Sequence, residues 1–201
     1  MEKINIFWEG DLLQSVQQCI DSWVKNGHKV NLWSYQSPAY LNCNLCDANT
    51  ILSFTEFPER FRVIDKADWF RINLIYQLGG WYADADCYCI RSLQFEQPNI
   101  VTWFNDQKQY LNNCIFKFEK GSECLKKYID HFDFEANIPG YRQFGDLLAP
   151  YFDELLICDS KELSFQFVDS LMEQTKVIHL FNSADEEKNL LLIEKINNLI
   201  I

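Results

Sequence analysis

The sequence predicts an α/β fold with a mainly parallel, mixed central sheet flanked by helices, and two stretches carry that prediction. The first 35 residues give strand, helix and strand with short connections, an order typical of a βαβ unit. Residues 65–91 give a charged amphipathic helix, two glycines and an aromatic strand. With 201 residues the chain is most simply a single domain, 1–201, with a substantial buried core.

The N-terminal stretch predicts a ligand-binding edge. Residues 4–8 are expected to form a buried strand, followed by a turn in which Asp11 caps a helix running to about residue 25. A second strand is expected at 29–35. Ligands of open α/β sheets bind at the carboxyl ends of the strands, and Trp8 lies at such an end.

The other elements are predicted from shorter patterns. Apolar positions with a period of 3.6 residues indicate the central helix over 65–78, which Gly79 and Gly80 end. The predicted strands are 51–54, 81–83, an apolar strand ending at Leu93, 100–104, 112–116, 155–157, 165–167 and 176–181. The later predicted helices are 122–131, 142–149 and 185–201.

Composition excludes some classes of partner. The net charge of -11 disfavours nucleic acid and anionic membranes, because both reward clusters of Lys and Arg. No apolar run reaches the length of a transmembrane helix, and the N-terminus lacks the pattern of a cleaved signal. We therefore expect a soluble, cytoplasmic chain, in which an anionic nucleotide would need a cation as mediator.

The eight cysteines are expected to be reduced and mostly buried, since nothing indicates secretion. Cys43 and Cys46 have the spacing of half a zinc knuckle, which leaves zinc as an alternative. Cys87 and Cys89 form the other close pair, but their alternation fits a strand better.

Asp84 and Asp86 follow the predicted aromatic strand, and their spacing of two directs both side chains to one side of an extended chain. A hard divalent cation takes one or two carboxylate ligands and leaves its other positions to water and substrate phosphates. An Asp-x-Asp triplet by itself also occurs in solvated turns, so its context decides between the two interpretations.

The context resembles a known family. The surrounding stretch is similar, residue by residue, to the sugar-binding region of DXD-containing glycosyltransferases of the family 32-like type, which includes capsular polysaccharide transferases. The residues that carry the resemblance are Ala67, Asp68, Arg71, Leu74, Tyr76, Gly79, Gly80, Tyr82, Asp84 and Asp86. The resemblance implies a GT-A-like (Rossmann-like) fold, a nucleotide-sugar donor and a manganese or magnesium ion.

The resemblance also implies roles for the central residues. Asp86 would ligate the metal directly, Asp84 would bridge towards the ribose and sugar, and Tyr82 would line the nucleotide pocket. Asp68 and Arg71, three apart on one helix face, would hold sugar hydroxyls. The alternative for this pair is an ion pair on the helix surface, which contributes little.

Three more residues are implied by weaker similarity. Trp8, in Trp-Glu-Gly, would pack on the nucleotide base, and Asn113 would face the donor sugar. His179 would be a third metal ligand, but Ala184 follows Ser183 where the family often has Trp. The alternatives are a core tryptophan, a strand-edge amide and a strand histidine, respectively.

The function expected is transfer of a sugar, with a UDP-sugar favoured, to a glycan or other hydroxyl acceptor. A non-catalytic nucleotide-sugar binding module is the alternative. A DxD phosphatase is disfavoured, because it needs Thr where Tyr88 stands and a motif near the N-terminus. Retention and inversion of the sugar remain open, and Asp106, Glu119 and Asp146 are candidate bases for inversion.

Overall fold

Strands and helices alternate along most of the chain in this computed structural model, which describes residues 2–36, 39, 42–133, 140–163, 173–180 and 185–200. The strands are β1 (Lys3–Phe7), β2 (Lys29–Ser34), β3 (Asn44–Asp47), β4 (Gly80–Ala83), β5 (Cys87–Cys89), β6 (Ile100–Trp103), β7 (Leu111–Phe118), β8 (Leu156–Cys158) and β9 (Val177–His179). The α-helices are α1 (Gln14–Lys25), α2 (Val63–Leu78), α3 (Glu123–His131), α4 (Gly140–Leu148), α5 (Ser160–Leu163) and α6 (Glu186–Ile200).

Seven of these strands form the central sheet, in the order β3-β2-β1-β4-β7-β6-β8. Strands β1, β2, β3 and β4 pair in parallel, as do β6 and β8, whereas β7 runs antiparallel to both of its neighbours. The predicted mixed and mainly parallel sheet is therefore confirmed. Because β7 runs in the opposite direction, its first residues lie at the edge where β1 and β4 end.

A second sheet pairs β5 with β9 in antiparallel register, with Cys87 opposite His179. These two residues are far apart in the chain, so no local pattern in the sequence indicates the pairing. The register places His179 beside the segment that carries Asp84 and Asp86.

The central sheet separates two hydrophobic clusters, as the alternation of side chains along its strands requires. On one face, α1 packs through Val16, Ile20 and Trp23 against Ile4 and Ile6 of β1. On the other face, α2, α3 and α4 pack against a cluster of aromatic residues. The members of that cluster from the sheet include Phe7, Trp33, Tyr82, Phe116 and Phe118.

The turn between α2 and β4 needs its glycines. Gly79 has φ +70°, and its N–H donates to the Ile75 carbonyl (2.8 Å) to close the helix. A Cβ at this position would lie 2.6 Å from the backbone nitrogen of Lys120. This close approach fixes the direction in which the chain passes from α2 into β4, and hence where Asp84 and Asp86 lie.

Three predictions about individual elements are wrong, each for a local reason: a helix cap, a strand before α2 and the end of β5. Helix α1 begins at Gln14, and its N-cap residue is Leu13, without a side-chain hydrogen bond, instead of Asp11. The strand expected at 51–54 is replaced by two 3₁₀ turns, Ala48–Thr50 and Phe54–Glu56, and the strand of this region is β3 instead. Capping side chains explain this, because Asp47 accepts from the Asn49 N–H, and Ser53 forms a capping box.

The strand expected to reach Leu93 ends at Cys89. The N–H groups of both Ile90 and Arg91 donate to the Lys176 carbonyl (2.7 and 3.2 Å), which interrupts the ladder with β9. The predicted strand at 165–167 lies outside the described residues. Within the described part of the chain, no helix is long and apolar enough to cross a membrane.

Candidate active site

A cleft of about 590 Å³ lies where β1 and β4 end and β7 begins. All eight side chains that the sequence predicted to bind the donor or the metal line this cleft: Trp8, Asp68, Arg71, Tyr82, Asp84, Asp86, Asn113 and His179. They come from β1, α2, β4, β7 and β9, or from the residues that follow these elements. The fold therefore brings together residues that are up to 171 positions apart in the chain.

Arg71 is the central cation of the cleft floor, and only 4% of its surface is exposed. Its guanidinium pairs with Asp68 on one side and with Asp84 on the other, at 3.1 Å each. It also donates to the carbonyl oxygens of Ala67 (3.2 Å) and Asn113 (2.7 Å). The alternative of a surface ion pair is thus wrong, because the position of Arg71 on α2 turns it inwards.

Asp68 and Asn113 complete this network from opposite sides. The Asn113 amide donates to Asp68 Oδ1 (2.9 Å), so the amide is bonded to a side chain. Burial raises the pKa of Asp68, and the Arg71 charge acts against that rise. Asp68 remains partly exposed to the cleft, with 17% of its side chain accessible, and can accept a further hydrogen bond there.

Asp84 is held by protein groups at both carboxylate oxygens. Tyr82 donates its hydroxyl to Oδ1 (3.0 Å), and Arg71 contacts Oδ2 (3.1 Å). Burial raises the pKa of Asp84 to about 7 even though Arg71 opposes the rise. Tyr82 itself is only 1% exposed, so it supports Asp84 from below, and its predicted contact with a nucleotide stays a prediction.

Asp86 faces His179. The distance from His179 Nε2 to Asp86 Oδ1 is 3.1 Å, and each side chain is 9% exposed. Burial would raise the pKa of Asp86, but the charge and hydrogen bond of His179 hold it below its ordinary value. Burial acts against charge on His179 too, yet Cys114 and Asp86 raise its pKa well above the ordinary value. A proton on His179 would balance the Asp86 charge.

The donor set fits a divalent cation. One ligand atom from each of Asp84, Asp86 and His179 lies within 4.8 Å of the other two. A buried carboxylate needs a counter-charge, which the imidazolium proton supplies here and which a cation supplies equally well. Arg71 and Tyr82 already donate hydrogen bonds to the two carboxylate oxygens of Asp84. Asp86 is therefore the carboxylate with more freedom to ligate an ion directly.

Residues at the mouth of the cleft were not singled out from the sequence. Glu9 follows Trp8, and its Oε2 is buried without a hydrogen bond to any group in the described residues. Burial raises the pKa of Glu9, with Lys66 opposing. Val63 and Ile64, at the start of α2, are 55% and 59% exposed. In the sequence, Glu9 is adjacent to Trp8, and Val63 and Ile64 precede Asp68 by about one helical turn, which was the signal available.

Trp8 lies at the cleft as predicted, with its indole Nε1 donating to the Asp11 carbonyl (3.1 Å). The three candidate bases, in contrast, are not among the residues that line the cleft. Asp106 pairs with Lys161 at 2.9 Å on the surface, Glu119 follows β7 and Asp146 lies in α4. Ser183 and Ala184 lie outside the described residues.

All eight cysteines are free thiols, and six of them are buried, as expected. Cys43 and Cys46 belong to no group of three candidate metal ligands among the described residues. The zinc site considered for that pair therefore finds no support from neighbouring side chains.

The cleft can be compared with known proteins. Residues 13–107 match the sequence model of a family described as "Glycosyltransferase sugar-binding region containing DXD motif". The match contains α1, α2, β4 and both carboxylates, whereas Asn113 and His179 lie beyond it. No curated protein gave a significant match.

Solved structures of low sequence identity share the fold. One titled "PaToxG Glycosyltransferase" has a TM-score of 0.54 and 16% identity, and the match covers 76% of this chain and 69% of that chain. The glycosyltransferase GlyE of Streptococcus pneumoniae TIGR4 gives 0.60 and 12%, over 98% of this chain and 63% of that chain. Its apo form gives 0.55 and 12%, over 100% and 64%. The chain thus spans less than two thirds of the GlyE length.

The sequence match and the fold are consistent with each other. Residues 13–107, just under half of the chain, match the sugar-binding region of DXD-containing glycosyltransferases, and the chain has the GT-A-like α/β fold of solved glycosyltransferases, as the sequence led us to suspect. The narrower family 32-like assignment stays a prediction.

Proposed function

We propose that this domain transfers a sugar from a nucleotide-diphosphate sugar, with a UDP-sugar favoured, to a hydroxyl of a glycan or similar acceptor. The observation that carries the proposal is the convergence of Asp84, Asp86 and His179 beside Trp8 in one cleft. A volume of about 590 Å³ is in the range of small-molecule sites, which supports a ligand the size of a nucleotide-sugar.

Asp86, Asp84 and His179 are the proposed ligands of the divalent ion. Carboxylate oxygens suit manganese and magnesium alike, and the added imidazole nitrogen favours manganese of the two. When bound, such an ion supplies positive charge that stabilises the leaving diphosphate. In an otherwise acidic protein of net charge -11, this positive charge is needed for an anionic donor to bind.

The other residues of the cleft would orient the donor. Trp8 presents an indole at the end of β1, on which a base can stack. Asp68 accepts and Arg71 donates hydrogen bonds, and both lie one helix away from the carboxylates, where the sugar hydroxyls are expected. Asp84, held by Arg71 and Tyr82, would keep a fixed position between the ion and the sugar.

Replacing Asp86 tests the metal role. Asp86→Asn keeps the size and removes the charge, so it should weaken UDP binding in manganese by about tenfold to a hundredfold, the range of a lost charged hydrogen-bond partner. Calorimetric titration of UDP, with manganese and with chelator, measures the effect. Asp106→Asn is the matched control, because Asp106 lies on the surface outside the cleft. Equal UDP affinity with and without manganese in the wild-type protein would contradict the metal role.

The enzyme and the binding-module alternative differ in turnover. A transferase should hydrolyse its nucleotide-sugar slowly in the absence of acceptor, and the release of UDP measures this directly. Tight, metal-dependent binding without any UDP release across a panel of nucleotide-sugars would support the non-catalytic module instead.

A further inference from the structure

A second group of possible metal ligands lies directly behind the DXD carboxylates. Cys87, Cys114 and His179 each place one ligand atom within 4.8 Å of the other two. All three are buried, with 0%, 1% and 8% of their surfaces exposed. No local motif in the sequence indicates this group, because its members are separated by 27 and 65 residues.

Three strands hold the group together. The pairing of β5 with β9 sets Cys87 opposite His179. The Cys87 thiol donates to the Cys114 carbonyl (3.8 Å), and the same carbonyl accepts the Asp84 N–H (2.7 Å). These contacts hold the backbone of Cys114 and the thiol of Cys87 in place between the strands, and such preorganisation favours metal binding.

Two sulfur atoms and one imidazole nitrogen differ chemically from the oxygen-rich pair beside them. Thiolates select zinc and other thiophilic ions, whereas carboxylates suit magnesium and manganese. We propose that Cys87, Cys114 and His179 form a binding site for a thiophilic divalent cation, zinc above all, next to the carboxylate pair. Two cysteines and one histidine are an established zinc ligand set that leaves a fourth position for water.

The cleft gives such an ion a way in. Cys114 and His179 both line the cleft, and Cys87 lies immediately behind them. The thiols lose their protons when the ion binds, so binding releases protons to solvent through the same opening.

His179 belongs both to this group and to the group it forms with Asp84 and Asp86, so the two proposed metal sites share one ligand. Histidines that ligate zinc through one nitrogen usually donate the other N–H to a carboxylate, and Asp86 lies 3.1 Å from Nε2. A zinc-loaded site would then withhold His179 from an ion at Asp84 and Asp86. Zinc should therefore raise the manganese concentration needed for UDP binding, a consequence that rests on the proposed function, unlike the site itself.

Cobalt provides a test of the site that does not depend on enzyme activity. Reduced, metal-free protein is titrated with Co²⁺, and a thiolate-to-cobalt charge-transfer absorption in the near ultraviolet is recorded, because carboxylate ligands give no such band. We expect one equivalent to bind and Zn²⁺ to displace it. Asp86→Asn should keep the band at saturating Co²⁺, although losing the partner of His179 should weaken the affinity by about 10- to 100-fold. A band that persists without the carboxylate separates this site from the carboxylate pair.

Cysteine variants locate the ligands. Loss of a hydrogen-bond partner to a ligand already costs about 10- to 100-fold in metal affinity, so Cys87→Ser and Cys114→Ser should each cost at least about 100-fold. Cys89→Ser is the matched control, since Cys89 lies on β5 with Cys87, is 1% exposed and belongs to no such group among the residues that the structure describes. It should keep the band at full intensity.

Two results with cobalt would overturn the proposal. A wild-type protein without the charge-transfer band, or a band that survives in both Cys87→Ser and Cys114→Ser, would show that the thiols are ordinary core residues. If the variants fail to fold, X-ray absorption of the zinc-loaded wild type decides, with sulfur ligands expected at about 2.3 Å and an oxygen-and-nitrogen shell alone contradicting the site. Slow hydrolysis of a UDP-sugar tests the proposed function separately from either measurement.

Discussion

Arg71 connects the stability of the domain with the chemistry of its cleft. The guanidinium bridges Asp68 and Asp84 and lies 5.0 Å from the centre of the Tyr82 ring. A buried arginine in this arrangement is as much a structural cation as a candidate contact for substrate. Substitutions there must be judged first by their effect on folding.

Arg71→Ala should lower the free energy of unfolding by about 3–5 kcal/mol, because it leaves two largely buried carboxylates without their partner. Urea unfolding followed by circular dichroism measures the loss. Arg62→Ala is the matched control at the start of the same helix, since the Arg62 side chain is 77% exposed and pairs with Asp65 at the surface. Equal, small losses in the two variants would contradict the structural role of Arg71.

His28 gives a pH-dependent contribution away from the cleft. Its Nε2 accepts the Leu93 N–H (3.0 Å), which requires a neutral ring, and its ring lies 5.4 Å from that of Trp23. Burial lowers the pKa of His28 below its ordinary value of 6.5, with Glu2 opposing. The unfolded chain thus binds more protons in this range, and stability should fall as the pH drops below about 6.5.

His28→Gln tests this dependence, because glutamine offers an oxygen near the position of Nε2 but does not titrate. Between pH 7.5 and 5.5 the wild type should lose more stability than the variant, by urea unfolding at both pH values. Parallel losses would assign the pH dependence to other groups.

At the scale of elements, the turn from α2 to β4 determines where the carboxylates lie. The turn packs against a second turn, in which the Gly121 N–H donates to the Tyr76 carbonyl (2.8 Å). Any side chain at Gly79 has to displace the backbone of that second turn.

Gly79→Ala should lower the free energy of unfolding by about 2–4 kcal/mol, from a strained positive φ and from a clash with the Lys120 backbone. Gly27→Ala is the control, since Gly27 also has a positive φ (+83°) but has open space where its Cβ would lie. It should cost only about 1–2 kcal/mol. Thermal or urea unfolding compares the two, and a Gly79→Ala cost no larger than that of Gly27→Ala would show that the second turn yields easily.

At the scale of the whole molecule, the central sheet joins both halves of the chain. Strand β7, from the second half, lies between β4 and β6. Helix α6 packs against α1, where the Ser15 hydroxyl donates to Glu186. Both hydrophobic clusters of the sheet contain residues from each half, so neither half buries its apolar surface without the other.

We therefore predict one cooperative unfolding transition for the full chain. All six tryptophans lie between residues 8 and 103, so their fluorescence reports on the first half, while far-ultraviolet circular dichroism also reports on α3 to α6. The two urea curves should coincide. Separate midpoints would instead indicate two independently folding parts.

The local parts of this protein could be predicted from its sequence. The period of α2, the glycine pair and the two carboxylates follow from short-range rules of helix termination and strand alternation, so their positions could be predicted almost residue by residue. Trp8 could likewise be placed, because a βαβ unit fixes which end of the strand carries ligands. The 3₁₀ turns before α2 were missed because side-chain caps there replaced a strand.

The contacts between distant segments depend on how the whole chain packs and could not be predicted from short stretches of sequence. Whether Arg71 faces solvent or Asp84 depends on which side of α2 meets the sheet, and both orientations satisfy the helical period locally. Cys87, Cys114 and His179 resemble any buried strand residues in sequence, and they meet because β5, β7 and β9 come together. Strand order and register follow from packing over the whole chain, which no local pattern of residues records.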